Sequence, residues 1–157
     1  MNGLAYYMSP VGELEIQSQG DAVTVVGFLR KIKRAENLTP VIQTCMRELD
    51  EYFSGGRKFF NVKIELRGST FQQNVWNKLL DIPYGTTTYY ADIATKVGDI
   101  NSVRAVGLAN GQNPIAIIVP CHRVIGKDGS LVGYGGGLER KVWLLKHEGA
   151  LNQLDLF

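Results

Sequence analysis

The chain has 157 residues, of which 45% are hydrophobic and 20% charged, and its net charge at pH 7 is +2. This length and balance support one good hydrophobic core or two small ones, and they exclude a disordered chain. The longest apolar runs fall far short of the roughly 18 residues of a transmembrane helix, and the chain start lacks the pattern of a secretory signal, so we expect a globular cytoplasmic protein without membrane contact.

The first half of the chain has the pattern of a small sheet with one helix. Strands are predicted over Leu14–Ser18, Ala22–Phe28 and Asn61–Leu66. Apolar residues follow helical spacing from Thr39 to Phe53, with Thr39 as the N-cap and Gly55 beyond the end. This spacing turns Cys45 towards the sheet, so we assign Cys45 to the core.

The second half is predicted to be mostly helical, with glycine-rich loops between the helices. Ser69 and Gln72 predict a capping box at the start of a helix whose apolar face includes Trp76. A second helix is predicted from about Tyr90 to Lys96, and a third begins at Ser102. Two short helices around a glycine turn are typical of a helix-turn-helix, although this signal is weak by itself.

The net charge of +2 does not indicate a nucleic-acid partner, but the local distribution of charge in the second half does. No carboxylate occurs from Ile100 to Lys127, whereas Arg104, Arg123 and Lys127 lie in this stretch. Such a region attracts anions, either as an ordinary solvated surface or as a nucleic-acid site. Together with the helix-turn-helix pattern, it favours DNA as the partner.

The most informative segment is Pro120–Val124, because it places a cysteine beside an imidazole and a guanidinium. The apolar run Ile115–Val119 before it predicts a strand that ends at the cysteine. A thiol with a pKa of about 8.5 is only slightly ionised at neutral pH, so a reactive cysteine needs a base or a positive charge nearby. His122 and Arg123 offer both, which favours a reactive Cys121 over a merely buried one.

The remaining cysteine and histidine residues suggest no other chemistry. Cys45 and Cys121 lie in very different contexts, which does not favour a disulfide, and two Cys and two His at this spacing match no zinc pattern. We therefore expect reduced thiols, no metal and no cofactor.

Five groups of motifs occur together along the chain. They are Arg104-Ala105-Val106-Gly107, Asn113-Pro114, Pro120-Cys121-His122-Arg123-Val124, Gly133-Tyr134 followed by Gly136-Gly137-Leu138, and Trp143-Leu144-Leu145 with His147-Glu148-Gly149. In these motifs the chain resembles the O6-alkylguanine-DNA alkyltransferases over nearly its whole length. The resemblance implies an α/β plus α fold: a small sheet-and-helix domain of the ribonuclease H type at 1–68, then a winged helix-turn-helix domain with the active site at 69–157.

The resemblance also implies a function. Members of this family repair double-stranded DNA by transferring the alkyl group of O6-methylguanine, and here also that of O4-methylthymine, to their own cysteine in one irreversible turnover. The target base must first be flipped out of the duplex, which costs a few kcal/mol. By resemblance, the chain is a methylated-DNA–protein-cysteine S-methyltransferase that acts as a monomer without a cofactor or an obligate protein partner.

Catalytic roles follow from the matching motif positions. The resemblance makes Cys121 the acceptor of the alkyl group and His122 its base, acting through a water. It makes Glu148 the carboxylate that polarises the imidazole, and Asn113 the residue that holds the active-site turn. Arg123 is expected to support local structure rather than to take part in the reaction.

The resemblance assigns further residues to DNA. Arg104 fills the gap left by the flipped base, and Tyr90 assists rotation of the nucleotide and hydrogen-bonds the base. Tyr134 forms a wall of the pocket, the backbone at Cys121 and Val124 reads the guanine edge, and the Gly135 amide meets O6. The family often has a serine at the position of Gly135, so we also hypothesise a roomier pocket that accepts larger alkyl groups.

Two other functions stay open at this point. Alkyltransferase-like proteins sense O6-alkylguanine without repairing it, but they lack the cysteine that this chain has at position 121. A cysteine hydrolase could use a Cys-His-Glu set. Its catalytic partners usually come from distant segments, however, whereas His122 directly follows Cys121, and a hydrolase gives no reason for a helix-turn-helix.

Overall fold

The structure is a computed structural model that describes residues 1–129, 131 and 134–151. These residues form two compact units. The first unit consists of Met1–Arg67 and Pro114–Ile118, and the second consists of Gly68–Asn113 and the described residues from Val119 onward. The break after Arg67 lies next to the boundary predicted after residue 68, but the assignment of Pro114–Ile118 to the first unit was not predicted.

The first unit is an antiparallel sheet with one helix packed on it. Its elements are β1 (Asn2–Ser9), β2 (Gly12–Gln19), β3 (Ala22–Phe28) and α1 (Pro40–Phe53), and the strand order is β1-β2-β3. Leu14 and Ile16 alternate with more exposed residues along β2 and are fully buried, as are Cys45 and Leu49 of α1. The predicted helix, the two hairpin strands and the core position of Cys45 are confirmed. Strand β1 was missed because its buried residues are consecutive rather than alternating.

Two predicted strands are reduced to single bridges. In the segment predicted as Asn61–Leu66, only Ile64 pairs, in parallel with Val23 of β3. In the run Ile115–Val119, only Ile115 pairs, with Val26 of β3, and Ile117 then turns the backbone with a φ of 72°. No strand therefore leads into Cys121. A continuous apolar run cannot be assigned to a strand by periodicity alone, and here its burial reflects tertiary packing.

The second unit is mainly helical. Its elements are α2 (Thr70–Leu79), β4 (Thr88–Tyr89), α3 (Tyr90–Lys96), α4 (Val103–Gly111), β5 (Val124–Ile125) and α5 (Leu138–His147), and β4 pairs in parallel with β5. Helices α3 and α4 pack together across a turn that contains Gly98 at a φ of 106°, which confirms the predicted helix pair. Across the residues that the structure describes, no helix is long and apolar enough to span a membrane.

Helix α2 is fixed at its start and along its buried face. Ser69 Oγ accepts a hydrogen bond from the Gln72 backbone N–H at 3.1 Å, and Gln72 Oε1 accepts one from the Ser69 backbone N–H at 2.9 Å. This is the predicted capping box. Trp76 is buried, and its indole N–H donates to the carbonyl of Ala109 in α4 at 2.9 Å. The capping box fixes the start of α2, and the Trp76 bond holds the helix against α4.

Loss of the Ser69 hydroxyl should lower the stability of the protein. The variant Ser69→Ala leaves the Gln72 N–H without its cap, and we expect the free energy of unfolding to fall by about 1 kcal/mol. Urea unfolding followed by circular dichroism measures this change. Ser69→Thr keeps the hydroxyl and is the matched control, so an equal loss in both variants would show that the cap is not the cause.

Candidate active site

Cys121 lies in a short 3₁₀ turn, Cys121–Arg123, which precedes β5 and packs against α5. Its side chain is buried, with 5% of the residue surface exposed. Burial raises the pKa of the Cys121 thiol, while a hydrogen bond with Asn113 and the charge of Lys141 act in the opposite direction. The resting residue is therefore a protonated thiol, and it needs a base before it can act as a nucleophile.

His122 is fully buried and lies against Glu148, with His122 Nε2 2.8 Å from Glu148 Oε2. Burial lowers the pKa of His122, so the imidazole is neutral at neutral pH. Although burial alone raises the pKa of Glu148, hydrogen bonds with His122 and Arg123 lower it to about 2. Glu148 is thus an ionised carboxylate that can only accept hydrogen bonds, which places the imidazole proton on Nε2.

The second nitrogen of His122 is the chemically available one. In a neutral imidazole with its proton on Nε2, Nδ1 carries a free lone pair and can accept a proton. His122 Nδ1 is buried and has no hydrogen-bond partner among the described residues. His122, the residue that directly follows Cys121, therefore offers a nitrogen that can accept a proton.

Glu148 reaches this position from the C-terminal end of α5. It is the C-cap residue, its backbone N–H bonds the carbonyl of Leu144, and Gly149 continues the chain at a φ of 74°. A carboxylate at a helix C-terminus is disfavoured by the helix dipole, and burial adds a desolvation cost. Its location therefore requires cationic or hydrogen-bonding partners from another segment.

Arg123 is the main partner of this carboxylate. Arg123 Nε lies 2.7 Å from Glu148 Oε1, and Arg123 Nη2 lies 3.0 Å from Oε2, so the pair is bidentate. Arg123 Nη1 also donates to the carbonyl of Ile82 at 2.7 Å, and the guanidinium lies 5.7 Å from the ring centre of Tyr84. The sequence identified Arg123 only as local support, because nothing in the motif shows that it shares Glu148 with His122.

Asn113 holds the backbone that leads into the turn. Its Nδ2 donates to the carbonyl of Val119 at 2.8 Å, and its side chain also hydrogen-bonds the Cys121 thiol. The nearby Asn110 is fully buried and donates from Nδ2 to the carbonyl of Cys121 at 3.3 Å. Two amide side chains therefore fix the backbone on both sides of Pro120.

Lys141 is a buried cation that the sequence interpretation missed. It is fully buried in α5, donates from Nζ to the carbonyl of Val124 at 2.6 Å and lies 5.8 Å from the ring centre of Tyr90. Burial lowers its pKa to about 8. A signal was available: Lys141 precedes the buried Leu144 and Leu145 by three and four positions, so it shares the apolar face of the helix.

The residues predicted to contact DNA differ in their surroundings. Val124 is fully buried, whereas Tyr90 and Tyr134 are partly buried. Both tyrosines lie within electrostatic reach of Cys121, and burial raises the pKa of both phenols. Gly135 is exposed. Arg104 is exposed on the first turn of α4 rather than buried with the cluster.

The two cysteines are free thiols in contrasting surroundings. Burial, together with the charge of Glu48, raises the pKa of Cys45 to about 12, and no basic partner acts in the other direction. Cys45 is therefore chemically inert.

Within residues 1–129, 131 and 134–151, no three His, Cys, Asp or Glu side chains are grouped so that they could hold a metal ion. Gly133 of the predicted motifs lies outside the described residues.

Two family models match the chain in succession. The ribonuclease-like domain of 6-O-methylguanine DNA methyltransferase matches residues 4–66, and the DNA binding domain of the same family matches residues 70–150. The chain is 46% identical over 153 residues to the methylated-DNA–protein-cysteine methyltransferase of Mycobacterium tuberculosis, covering 94% of this chain and 93% of that protein. It is 43% identical over 152 residues to the protein of the same name from Methanosarcina acetivorans, covering 93% and 97% of the two chains.

Solved structures agree with these matches. The crystal structure of the M. tuberculosis O6-methylguanine methyltransferase has a TM-score of 0.87 at 42% identity, covering 99% of this chain and 98% of that one. The M. tuberculosis protein OGT in complex with DNA has a TM-score of 0.85 at 44% identity, covering 96% and 95%. A small sheet domain followed by a helical DNA-binding domain defines the class, which confirms the predicted fold. The chain belongs to the 6-O-methylguanine DNA methyltransferase family.

The ionised Glu148 should make stability depend on pH in the acid range. Its pKa is about 2 in the folded chain and near 4.5 when unperturbed, so its contribution is complete above about pH 4.5 and is lost as the pH falls towards 2. We expect this carboxylate to account for a loss of about 2 kcal/mol between pH 5 and pH 3. Urea unfolding at the two pH values should show a smaller loss for Glu148→Gln than for the unmodified protein.

The matched control is Glu139→Gln, which changes an exposed carboxylate in the same helix. This variant keeps Glu148 and its partners, so it should still show the loss of stability between pH 5 and pH 3 that Glu148 contributes. If Glu148→Gln also retains the full pH dependence, the ion pair is not what protects the fold against acid.

Proposed function

We propose that this protein repairs double-stranded DNA by transferring the alkyl group of O6-methylguanine to Sγ of its own Cys121, once per molecule. The observation that carries the proposal is the buried Glu148–His122 pair, which leaves an unprotonated nitrogen on the residue that directly follows Cys121, a thiol that needs a base. The family membership and the DNA complex of the M. tuberculosis relative support DNA as the partner.

The reaction begins with a proton transfer. His122 Nδ1 takes the thiol proton of Cys121 through a bridging water, and the imidazole becomes an imidazolium. The ionised Glu148 stabilises that cation through its bond to Nε2. The positive charge of Lys141 favours the thiolate that is left behind, because a nearby cation lowers the free energy of the anion.

The transfer itself is a displacement at the alkyl carbon. The Cys121 thiolate forms a sulfur–carbon bond as the bond between that carbon and O6 breaks, and the electron pair of the broken bond moves to the guanine. The proton that left Cys121 restores neutral guanine. The product is a thioether, and no group in the described site can remove its alkyl group, so each molecule reacts once.

Reaching O6 requires the nucleotide to leave the base stack. We assign Arg104 to fill the gap, since it is exposed on α4 and free to enter the duplex. Tyr90 hydrogen-bonds the flipped base, Tyr134 walls the pocket, and the Gly135 amide donates to O6. The carbonyl of Val124 already accepts from Lys141, but a carbonyl has two lone pairs and can also accept from the exocyclic amine of guanine.

Several finer assignments belong to the same proposal. We assign activity on O4-methylthymine as well, action as a monomer without an obligate protein partner or cofactor, and domains at 1–68 and 69–157. We also assign the protein to the cytoplasm. A nucleophilic thiol must stay reduced, and the cytoplasm is a compartment that keeps thiols reduced.

Intact-protein mass after incubation with a duplex that contains one O6-methylguanine tests the proposal. We expect a gain of one methyl group per molecule, located on the Cys121 peptide, that never exceeds one equivalent. Cys121→Ser should gain nothing, whereas the matched control Cys45→Ala should react like the unmodified protein. DNA binding without a mass change would identify a damage sensor instead, and turnover beyond one equivalent would identify a true catalyst.

The absence of a side chain at Gly135 should set the size of alkyl group that is accepted. A Cβ at this position would lie 3.1 Å from the carbonyl oxygen of Gly111, so a side chain would have to displace the loop or the end of α4. We expect Gly135→Ser to lower the ratio of transfer rates for O6-benzylguanine and O6-methylguanine by about tenfold, the usual effect of a small change in pocket volume.

Single-turnover rates with the two modified bases measure this ratio. Gly27→Ser is a suitable control, since a Cβ at Gly27 meets no atom within 4 Å. An unchanged ratio in Gly135→Ser would show that another part of the pocket limits the alkyl group.

A further inference from the structure

We propose that Arg123 is a positioning residue for the alkyl transfer: acting through Glu148, it keeps His122 neutral, with Nδ1 unprotonated and able to accept the thiol proton. The inference rests on the proposed function for its effect on the reaction. It goes beyond the role of local support that the sequence suggested, because it assigns Arg123 an effect on the protonation of the base.

Arg123 fixes the orientation of the Glu148 carboxylate. Glu148 has two carboxylate oxygens: Oε1 is bound by Arg123 Nε at 2.7 Å, and Oε2 is shared between His122 Nε2 at 2.8 Å and Arg123 Nη2 at 3.0 Å. Two parallel bonds fix the plane of the carboxylate. Arg123 is itself held by the Ile82 carbonyl and stacked near Tyr84. The orientation of Oε2 towards His122 is therefore imposed by Arg123.

Arg123 also changes the balance of charge around His122. A buried carboxylate with no other partner strongly favours a protonated imidazole beside it. Burial is the largest effect that lowers the pKa of His122, and Glu148 opposes it by raising that pKa. The positive charges of the adjacent Arg123 and of Lys141 in α5 act in the same direction as burial and offset the carboxylate. Tyr84 and Tyr134 lie within electrostatic reach of Glu148, but their raised pKa values keep both neutral at neutral pH. Arg123 contacts Glu148 directly, with its Nε 2.7 Å from Oε1.

The consequence follows from the balance of these charges. With Arg123 present, the carboxylate is already neutralised and His122 stays uncharged. Without that charge, Glu148 would draw a proton onto the imidazole, and Nδ1 would carry it. A protonated Nδ1 cannot accept the proton of Cys121, so the transfer would become slow at pH values where the unmodified protein is fast, and it would recover at higher pH.

The experiment compares Arg123→Met, which removes the charge at similar length, with Arg123→Lys, which keeps it. Single-turnover rates of methyl transfer are measured from pH 5.5 to 9 and divided by the rates of the unmodified protein at the same pH. We expect the relative rate of Arg123→Met to be at least tenfold lower at pH 6 than at pH 9, and that of Arg123→Lys to vary less than threefold. A relative rate of Arg123→Met that is equally low at every pH would reduce Arg123 to a structural role and overturn the proposal.

A second measurement does not depend on catalysis, and its first part needs no variant. Nitrogen-15 NMR of the imidazole in the unmodified protein at pH 7 should show an unprotonated Nδ1 and a protonated Nε2 for His122, and in Arg123→Met it should show both nitrogens protonated. A doubly protonated His122 in the unmodified protein overturns the inference even if Arg123→Met fails to fold. Failure of the proposed function is distinguishable, since it would appear as no methyl gain with the NMR signature intact.

Discussion

The contacts of the buried Glu148 carboxylate with Arg123 and His122 hold together the part of the second unit that forms the candidate site. The carboxylate sits at the C-terminal end of α5, where both the helix dipole and desolvation oppose it. The bidentate Arg123 and the imidazole of His122 offset these costs, and both come from the 3₁₀ turn that carries Cys121. The same contacts that offset the cost of the buried charge therefore fix Cys121, His122 and the end of α5 in one arrangement.

This arrangement agrees with the role proposed for Cys121, that of a nucleophile that is inactive at rest. Burial holds Cys121 as a thiol, which protects it from oxidation and from adventitious alkylation. His122, its proposed proton acceptor, is also buried, so both side chains are shielded from solvent. Such shielding suits the proposed reaction, in which the thiol is used only once.

The structural features that the sequence predicted correctly depend on residues close together in the chain. The capping box of Ser69 and Gln72 depends on residues three positions apart, and the burial of Cys45 depends on helical periodicity within α1. The features that sequence reasoning misjudged depend on distant partners. The run Ile115–Val119 has the composition of a buried strand, but only Ile115 finds a partner, on β3. Lys141 can be buried because its ammonium group donates a hydrogen bond to the Val124 carbonyl and lies against the Tyr90 ring.

The sequence by itself determined the family and the pair of helices around a glycine turn. It also indicated Cys121 and His122 as candidate site residues, since the motif around Cys121 is contiguous and specific. Only the tertiary structure decided which nitrogen of His122 is basic and which residue neutralises Glu148. The physical reason is that protonation depends on burial and on charges within a few ångströms, and Glu148 is 25 positions from Arg123 along the chain. Such proximity is created by packing and is not encoded in any local pattern.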